Sequence, residues 1–381
     1  ILHVGALLLT STSGADFSSF FGERLFVGSP VVVDSTIFVM AITFAIVGAL
    51  YAILGGLRAV AVSDTYSGVL ILSLAVLVVI LALNAINWDF SDVPAERLNM
   101  FIGNELEDGS ETPIPWHTLL TGMIFIQIFY WSTNQTITQR AMASPTVEEA
   151  RKGILAAAGI RLLIVPIIAV VPGVVAYKLY GDVGDAAYGM IVGDILPPIL
   201  SGAFAAAIAA AVLTTFNSIL NASAALYVCD FHESYVEEAR DVPKLSMYVS
   251  IAMTVLAIVL VPIFASQESI INTVQQLYGL LSMPILSAFI VGLAFRNVSA
   301  WAAIIGVVTG VLVYAIFSFK LYRHIGISPE EGFGAMLASV HYIHYMFVTL
   351  VASIGTALLS NLIVFGRRAE LTIGRPDPAT A

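Results

Sequence analysis

The 381-residue chain has a single cysteine, Cys229, so it can form neither an internal disulfide nor a cysteine-rich metal centre. Charge is equally scarce. Asp, Glu, Lys and Arg together make up 11% of the residues, against about a quarter in a soluble chain. Basic residues are the rarer sign, 16 against 26 acidic, for a net charge of −10. Nucleic acid as a partner is therefore not expected, because that interaction needs a basic stripe. The chain opens on Ile1 rather than Met and is apolar by Leu7-Leu8-Leu9, so it reads as lacking its start, and the absence of a signal peptide carries no weight. Gly55-Gly56 is not followed by the Lys-Ser/Thr of a phosphate loop, which removes the case for a nucleotide or other organic cofactor. His341 and His344 in HYIHY are two ligands, short of a metal set. No Ser/His/Asp or Cys/His combination falls at membrane depth, so an enzyme is not expected.

What the chain does have is apolar surface: 59% of its residues are hydrophobic. A helix crossing a bilayer needs about 20 mainly apolar residues. Windows of that kind fall near 1–21 (partial), 35–54, 65–87, 116–138, 154–177, 199–227, 245–265, 270–295, 299–318 and 337–365. This predicts an all-α integral membrane protein of about ten spans, with no soluble domain left over. Orientation follows from Lys and Arg. Arg58, Arg140, Arg151, Lys152, Arg240, Lys244, Arg296, Arg367, Arg368 and Arg375 fall on one set of loops; Arg24, Arg97, Lys178, Lys320 and Arg323 fall on the other. The richer set, with the C-terminus, is predicted to be cytoplasmic, and the acidic 88–115 connection to lie outside.

Polar groups inside such spans are costly and mark functional candidates. In FYWSTNQTITQR (Phe129–Arg140) an apolar helix turns polar before it has finished crossing, and Gln127 lies one turn before Tyr130. The plain alternative is an interfacial end with an aromatic belt at Tyr130 and Trp131. In AAAVLTTFNSILNAS (Ala209–Ser223) Thr214 and Thr215 fall near mid-span, and Thr214, Asn217, Ser218 and Asn221 share a face by their three- and four-residue spacing. Hydroxyls bonding back to their own helix would explain any one of them. As a set, neutral oxygens without Cys or His suit a hard monovalent cation. Asp64 opens the 65–87 window, where it would also suit a helix N-terminus; Asp16 lies in the first window. Gln275 and Gln276 precede Gly279 and Pro284 in one span, the kind of interruption found in broken transporter helices.

Five segments also resemble the sodium:solute symporter family, in its sodium/glucose cotransporter branch. FYWSTNQTITQRAMAS is similar to the signature YW-x-TNQ-x-x-x-QR, and GGLRAVAVSDT (55–65) to GGL-x-AV-x-x-TD. AAAIAAAVLTTFNSILNASAALYVCDF (205–231) resembles the helix AA-L-x-SS-x-x-S-x-x-NS ending on Asp, here Asp230. KGILAAAGIRLLIVPIIAVVPG and QQLYGLLSMPILSAFIVGL complete the series, in order, from about Asp16 to Leu293.

The resemblance implies a LeuT-type fold of two inverted five-helix repeats with a midplane site and alternating access. Residues 1–87 would be the remainder of the first repeat, 116–295 the second, and 299–365 two added helices. Only three spans precede 116 where five are implied, so the first core helices, which supply part of the sodium and solute sites, would be missing. By the same likeness Ala211 (carbonyl), Thr214 and Thr215 would hold Na⁺. Asp64, Asn217 and Ser218 would form a possible second Na⁺ site or ion path, with Asn217 departing from the usual hydroxyl. Gln127, Tyr130, Arg161 and Gln275 would contact solute, Tyr130 as the aromatic gate. Arg161 stands where sugar members can carry Lys, Gln127 where they can carry Asn, and Ser67 replaces a usual Gln. The implied function is Na⁺-coupled symport of a small polar solute, a sugar or polyol, across a plasma or inner membrane. The alternatives are uptake of an organic acid of sialic-acid type or an amino acid, or a non-transporting sensor-like or remnant domain. Solute identity, ion stoichiometry and oligomeric state are not encoded in any of these features.

Overall fold

The computed structural model describes residues 2–13, 16–25, 33–99, 101–104, 112, 114–236, 241–265, 270–328 and 331–372. Its principal helices are α1 (Leu2–Ser13), α2 (Ser35–Ala85), α3 (Gly122–Ser132), α4 (Gln135–Met142), α5 (Val147–Leu163), α6 (Val165–Tyr180), α7 (Ala187–Ile195), α8 (Pro198–Ala225), α9 (Val242–Ala265), α10 (Ile270–Ala294), α11 (Ala300–Ser318), α12 (Gly332–Ser339) and α13 (Tyr342–Ile363). Strands are confined to two-residue antiparallel pairs, β1 (Arg24–Leu25) with β2 (Val33–Asp34) and β3 (Phe295–Arg296) with β4 (Glu370–Leu371). The chain divides into two compact units: residues 1–98 with 139–270, and residues 99–138 with 271–381.

Eight stretches among the described residues are long and apolar enough to cross a membrane, and each coincides with one of the expected windows. Two of the ten expected windows differ. Near 1–21 the helix α1 has only 12 residues. The 116–138 window is not one helix but a 3₁₀ turn (Trp116–Leu120), then α3, then a break at Thr133-Asn134 before α4. The polar run causes that break. Thr133 Oγ1 donates to the carbonyl of Phe129 at 2.9 Å, and Asn134 Oδ1 accepts from the N–H of Thr136 at 2.9 Å. Side chains that bond the local backbone compete with the helix ladder.

In the first unit, α2 counts 51 helical residues yet cannot be straight. Tyr51 OH donates to Ser63 Oγ at 2.9 Å, whereas twelve residues of straight helix span about 18 Å. The chain therefore folds back between them, giving the two spans Ser35–Gly55 and Ala61–Ala85. Asp34 caps the start, accepting from the N–H groups of Thr36 and Ile37. Helix α8 packs along both halves: Phe204, Ala207 and Ile208 lie with Leu74, Val78 and Ala82, and Phe216 and Leu220 lie with Ala41, Ala45, Ala49 and Ala52. Small residues allow this closeness. A Cβ on Gly48 would stand 2.8 Å from the Phe216 ring. Beyond Ala225 the helix widens into a π-turn, Leu226–His232.

In the second unit, α3, α10, α11 and α13 enclose Ile126, Met283, Leu286, Tyr314, Ile343, Met346 and Leu350. Gly306 and Gly310 bring α11 against Ser353 and Ala357 of α13. Buried Asn361 ties the end of this unit, accepting from the N–H of Ser299 and donating to the carbonyls of Asn297 and Arg367.

Of the cations used to orient the chain, Arg240 and Arg375, and the side chain of Arg58, lie outside the described residues.

Candidate functional site

The two threonines of α8 both turn toward one backbone oxygen. Thr214 Oγ1 lies 3.2 Å and Thr215 Oγ1 2.7 Å from the carbonyl oxygen of Ala211, to which both donate. Thr214 is buried and Thr215 exposed. Hard cations gather oxygen ligands at roughly 2.3–2.6 Å, so ligands at right angles stand about 3.4 Å apart. Thr214 Oγ1 comes near that spacing from the Ala211 oxygen and Thr215 Oγ1 falls short of it, both hydroxyls being bonded back to their own helix. The donor set suits Na⁺.

One turn further along α8 the arrangement is different. Arg140, on α4, directs Nη2 to the carboxylate of Asp64 and, at 2.6 Å, to Ser218 Oγ. Gln139 Nε2 donates to the Ser218 carbonyl at 3.2 Å, and Ser218 Oγ donates to the Thr214 carbonyl at 2.9 Å. Asp64 and Ser218 are thus brought together, 154 positions apart in sequence, by an arginine between them. Asn217 is fully buried, and neither end of its side-chain amide has a hydrogen-bond partner among the described residues. Sequence reasoning missed Arg140 and Gln139 as members of this cluster. Their only signal is the Gln-Arg pair closing the polar run.

The residues expected to touch solute fall in both units. Gln127, Tyr130 and Gln275 belong to the second, and Arg161 to the first. Gln127 Oε1 accepts from Trp131 Nε1 at 3.2 Å, and the Tyr130 ring meets the Trp131 ring edge-on at 5.4 Å. Tyr278 of α10 lies close enough to Tyr130 and Asn134 to interact with both. Gln275 Oε1 accepts a long 3.4 Å bond from Tyr342 OH, while Gln276 Nε2 reaches the carbonyl and hydroxyl of Ser318 at 2.8 and 3.0 Å. Arg161 is exposed on α5. Asp16 accepts from the N–H of Ser18, which holds its carboxyl below the usual carboxylate range. His344 pairs not with His341 but with His117, Nε2 to Nδ1 at 2.9 Å, and no group of three metal-binding side chains forms among the described residues.

A polar break within an apolar helix and paired mid-span threonines agree with what comparison of the whole chain finds. The profile of the Sodium:solute symporter family matches residues 7–310. The chain belongs to the sodium:solute symporter family. Its similarity extends to an uncharacterized symporter, YidK, of Escherichia coli (strain K12), 29% identical over 84% of this chain and 55% of the relative. A sodium/glucose cotransporter of Vibrio parahaemolyticus is 30% identical over 52% of this chain and 40% of the relative. Sodium/myo-inositol cotransporter 2 of Mus musculus is 24% identical over 79% and 50%. The chain spans about half the length of the curated relatives it matches. Among solved structures, a Na⁺-coupled sialic acid symporter in a substrate-bound outward-open state superposes with a TM-score of 0.66 at 16% identity, covering 97% of this chain and 73% of that one. The fold is therefore the LeuT-type transporter fold, and this symporter-family chain is a multi-pass integral membrane protein.

Proposed function

We propose that the protein to which this chain belongs carries out Na⁺-coupled symport of a small polar solute, a sugar or polyol, by alternating access. The observation that carries this reading is the match of residues 7–310 to the Sodium:solute symporter family, with Thr214 and Thr215 halfway along an apolar helix. Their hydroxyls bond back to the Ala211 carbonyl; turned away from it, these three oxygens would form part of a neutral cradle for the coupling ion. Sodium held there would favour the state that binds solute, so that ion binding and solute binding assist one another by the same factor.

Asp64, Ser218 and Asn217 are assigned to the ion path. Arg140 already presents a positive charge to Asp64 and Ser218, so a second Na⁺ would have to displace a guanidinium, and a gate that opens when the pair parts is the simpler role. Gln127, Tyr130 and Gln275 offer amides and a ring, which suit a neutral hydroxylated solute. The names of the sodium/glucose and sodium/myo-inositol relatives support that class. A second reading, an organic acid, is favoured by one observation: Arg161 sits exposed near the middle of the apolar helical stretch Val147–Tyr180, whose other charged residues lie towards its ends. The C-terminus is assigned to the cytoplasm from the Lys and Arg distribution.

The test is uptake by the full-length protein in proteoliposomes under an inward Na⁺ gradient, across a panel of sugars, polyols and acids. Sodium-driven accumulation that is lost in Thr214→Ala supports the proposal. Uptake with unchanged sodium dependence in that variant removes the ion assignment. Uptake of acids alone, abolished by Arg161→Gln, moves the solute to the second reading.

A further inference from the structure

Four side chains in the second unit form a continuous row of hydrogen bonds. Asn104 Oδ1 lies 2.7 Å from His117 Nε2, His117 Nδ1 lies 2.9 Å from His344 Nε2, and His344 Nδ1 lies 2.8 Å from Thr121 Oγ1. Thr121 Oγ1 is also 3.2 Å from the carbonyl oxygen of Thr118. The row ties the 3₁₀ turn before α3 to the first turn of α13, and its central pair is 227 positions apart in sequence. Backbones meet here too: a Cβ on Gly122, the first residue of α3, would overlap the Ile343 carbonyl oxygen. Thr121 holds the N-cap position of α3, yet its hydroxyl caps no N–H of that helix. Its partners are His344 and Thr118 instead.

The proton positions follow from the ends of this row. The Asn104 amide oxygen only accepts, so His117 Nε2 carries a proton. A neutral His117 then has a bare Nδ1, which accepts from His344 Nε2–H. That leaves His344 Nδ1 bare, and the Thr121 hydroxyl donates to it. A proton added at His344 Nδ1 needs only a rotation of that hydroxyl, which then accepts from Nδ1–H and donates to the Thr118 carbonyl. Every bond of the row survives, and those next to the new charge strengthen. A second proton has no such place, because at His117 Nδ1 it would meet His344 Nε2–H head-on across 2.9 Å. Both histidines are half-buried, so water can deliver the first proton. Among the described residues, the segments 101–104 and 114–121 and the helices α3, α10, α12 and α13 contain no Asp, Glu, Lys or Arg. Their other titratable groups are His341, which accepts from the N–H of Ile343, and Tyr130, Tyr278, Tyr342 and Tyr345; tyrosines stay neutral below about pH 9.

We propose that His117, His344 and Thr121 form a binding site for a single proton, which clamps the start of α3 to the start of α13. The site takes one proton with its bonds intact and refuses a second, so the pair titrates as one unit rather than as two histidines. Helix α3 also carries Gln127 and Tyr130, so the clamp sits at the head of the helix assigned above to solute. The proton site itself does not depend on the transport reading, since none of its residues belongs to the sodium or solute set.

The experiment is magic-angle-spinning NMR of the full-length protein in nanodiscs, with ¹⁵N in its histidines, between about pH 8.5 and 5, a range that brackets a free imidazole. Coupling between the two nitrogens across their shared bond identifies the pair in wild type, without recourse to any variant. At the upper end both rings should carry their proton on Nε2. As pH falls the pair should gain one imidazolium, not two, with the coupling intact. Thr121→Val keeps the side chain's shape and removes its hydroxyl; the pair's proton affinity should then fall roughly five- to tenfold, because a hydrogen bond to a charged group is the stronger one. Two imidazoliums on the pair would overturn the proposal, and so would a pair that stays neutral down to about pH 5 or one that shows no coupling. Proton uptake unchanged in Thr121→Val would equally overturn it, since the proton would then sit elsewhere. Solute uptake plays no part in the measurement, so a failed transport reading leaves its outcome as it stands.

Discussion

Replacing Asp64 by Asn removes the charge that Arg140 faces while keeping the side chain's volume. Were the pair fully buried, stranding one partner would cost about 3–5 kcal/mol. The Arg140 and Asp64 side chains keep 37% and 24% of their exposure, so water takes up part of the loss, and about 1–2 kcal/mol is expected instead. That is a factor of roughly 5–30 in an equilibrium. Arg140 also holds Ser218 Oγ, so part of its contribution survives the loss of Asp64. A double-mutant cycle separates the two. Asp64→Asn, Arg140→Gln and the pair together, measured by unfolding of the full-length protein in nanodiscs, should show a coupling of about 1–2 kcal/mol. If the two single effects add to within about 0.3–0.5 kcal/mol, the contact is screened by solvent and cannot act as a gate. The same three variants, assayed for sodium leak without solute, should leak more than wild type in proportion to that coupling.

Thr215→Ala should raise the sodium concentration for half-maximal uptake by about tenfold or more, the loss of one charge-assisted oxygen contact, with thermal stability almost unchanged because the residue is exposed; sodium titration of uptake reads this. Tyr130→Ala should weaken solute binding while leaving sodium-dependent melting intact, and a calorimetric titration distinguishes the two. Gly306→Ala would place a Cβ 2.6 Å from the Ser353 carbonyl oxygen and 2.8 Å from Ala357 Cβ; forcing α11 and α13 apart should cost about 1–3 kcal/mol, visible as a lower melting temperature. Asp89 accepts from the Ser91 N–H and hydroxyl and from Lys178, contacts that hold its carboxyl below the usual range. Its folded-state pKa being lowered, the contribution is present above the ordinary carboxylate value of about 3.9 and lost as pH falls through the folded value. Exchange of the Ser91 amide, corrected for intrinsic rate, should therefore accelerate only below about pH 4.

Much of the architecture was legible because a bilayer is an unforgiving solvent. Any stretch of about 20 apolar residues in such a chain must become a helix to satisfy its own backbone, and eight of the windows coincide with apolar helical stretches, two of which, Val147–Tyr180 and Pro198–Tyr235, run well beyond the expected limits. The shared face of Thr214, Asn217 and Ser218 followed from helical period alone, and all three are buried. The window at 116–138 was misjudged because hydropathy averages Thr133 and Asn134 into a mainly apolar stretch. It does not register that their side chains bond the local backbone and end the ladder. The pairing of His117 with His344 was invisible for another reason: the neighbour His341 is three residues away in sequence, whereas the true partner is 227 away.

Chain order and residue type were enough to determine that this is a helical membrane protein, where its apolar spans lie, and which oxygens sit at mid-depth, since each of these is a local consequence of lipid and of a 3.6-residue period. Tertiary structure alone decided what those oxygens face: that Asp64 and Ser218 share Arg140, and that the Asn217 amide has no hydrogen-bond partner among the described residues. Those are contacts between segments tens to hundreds of residues apart, and they depend on how helices rotate and fold back against one another, which no periodicity along the chain records.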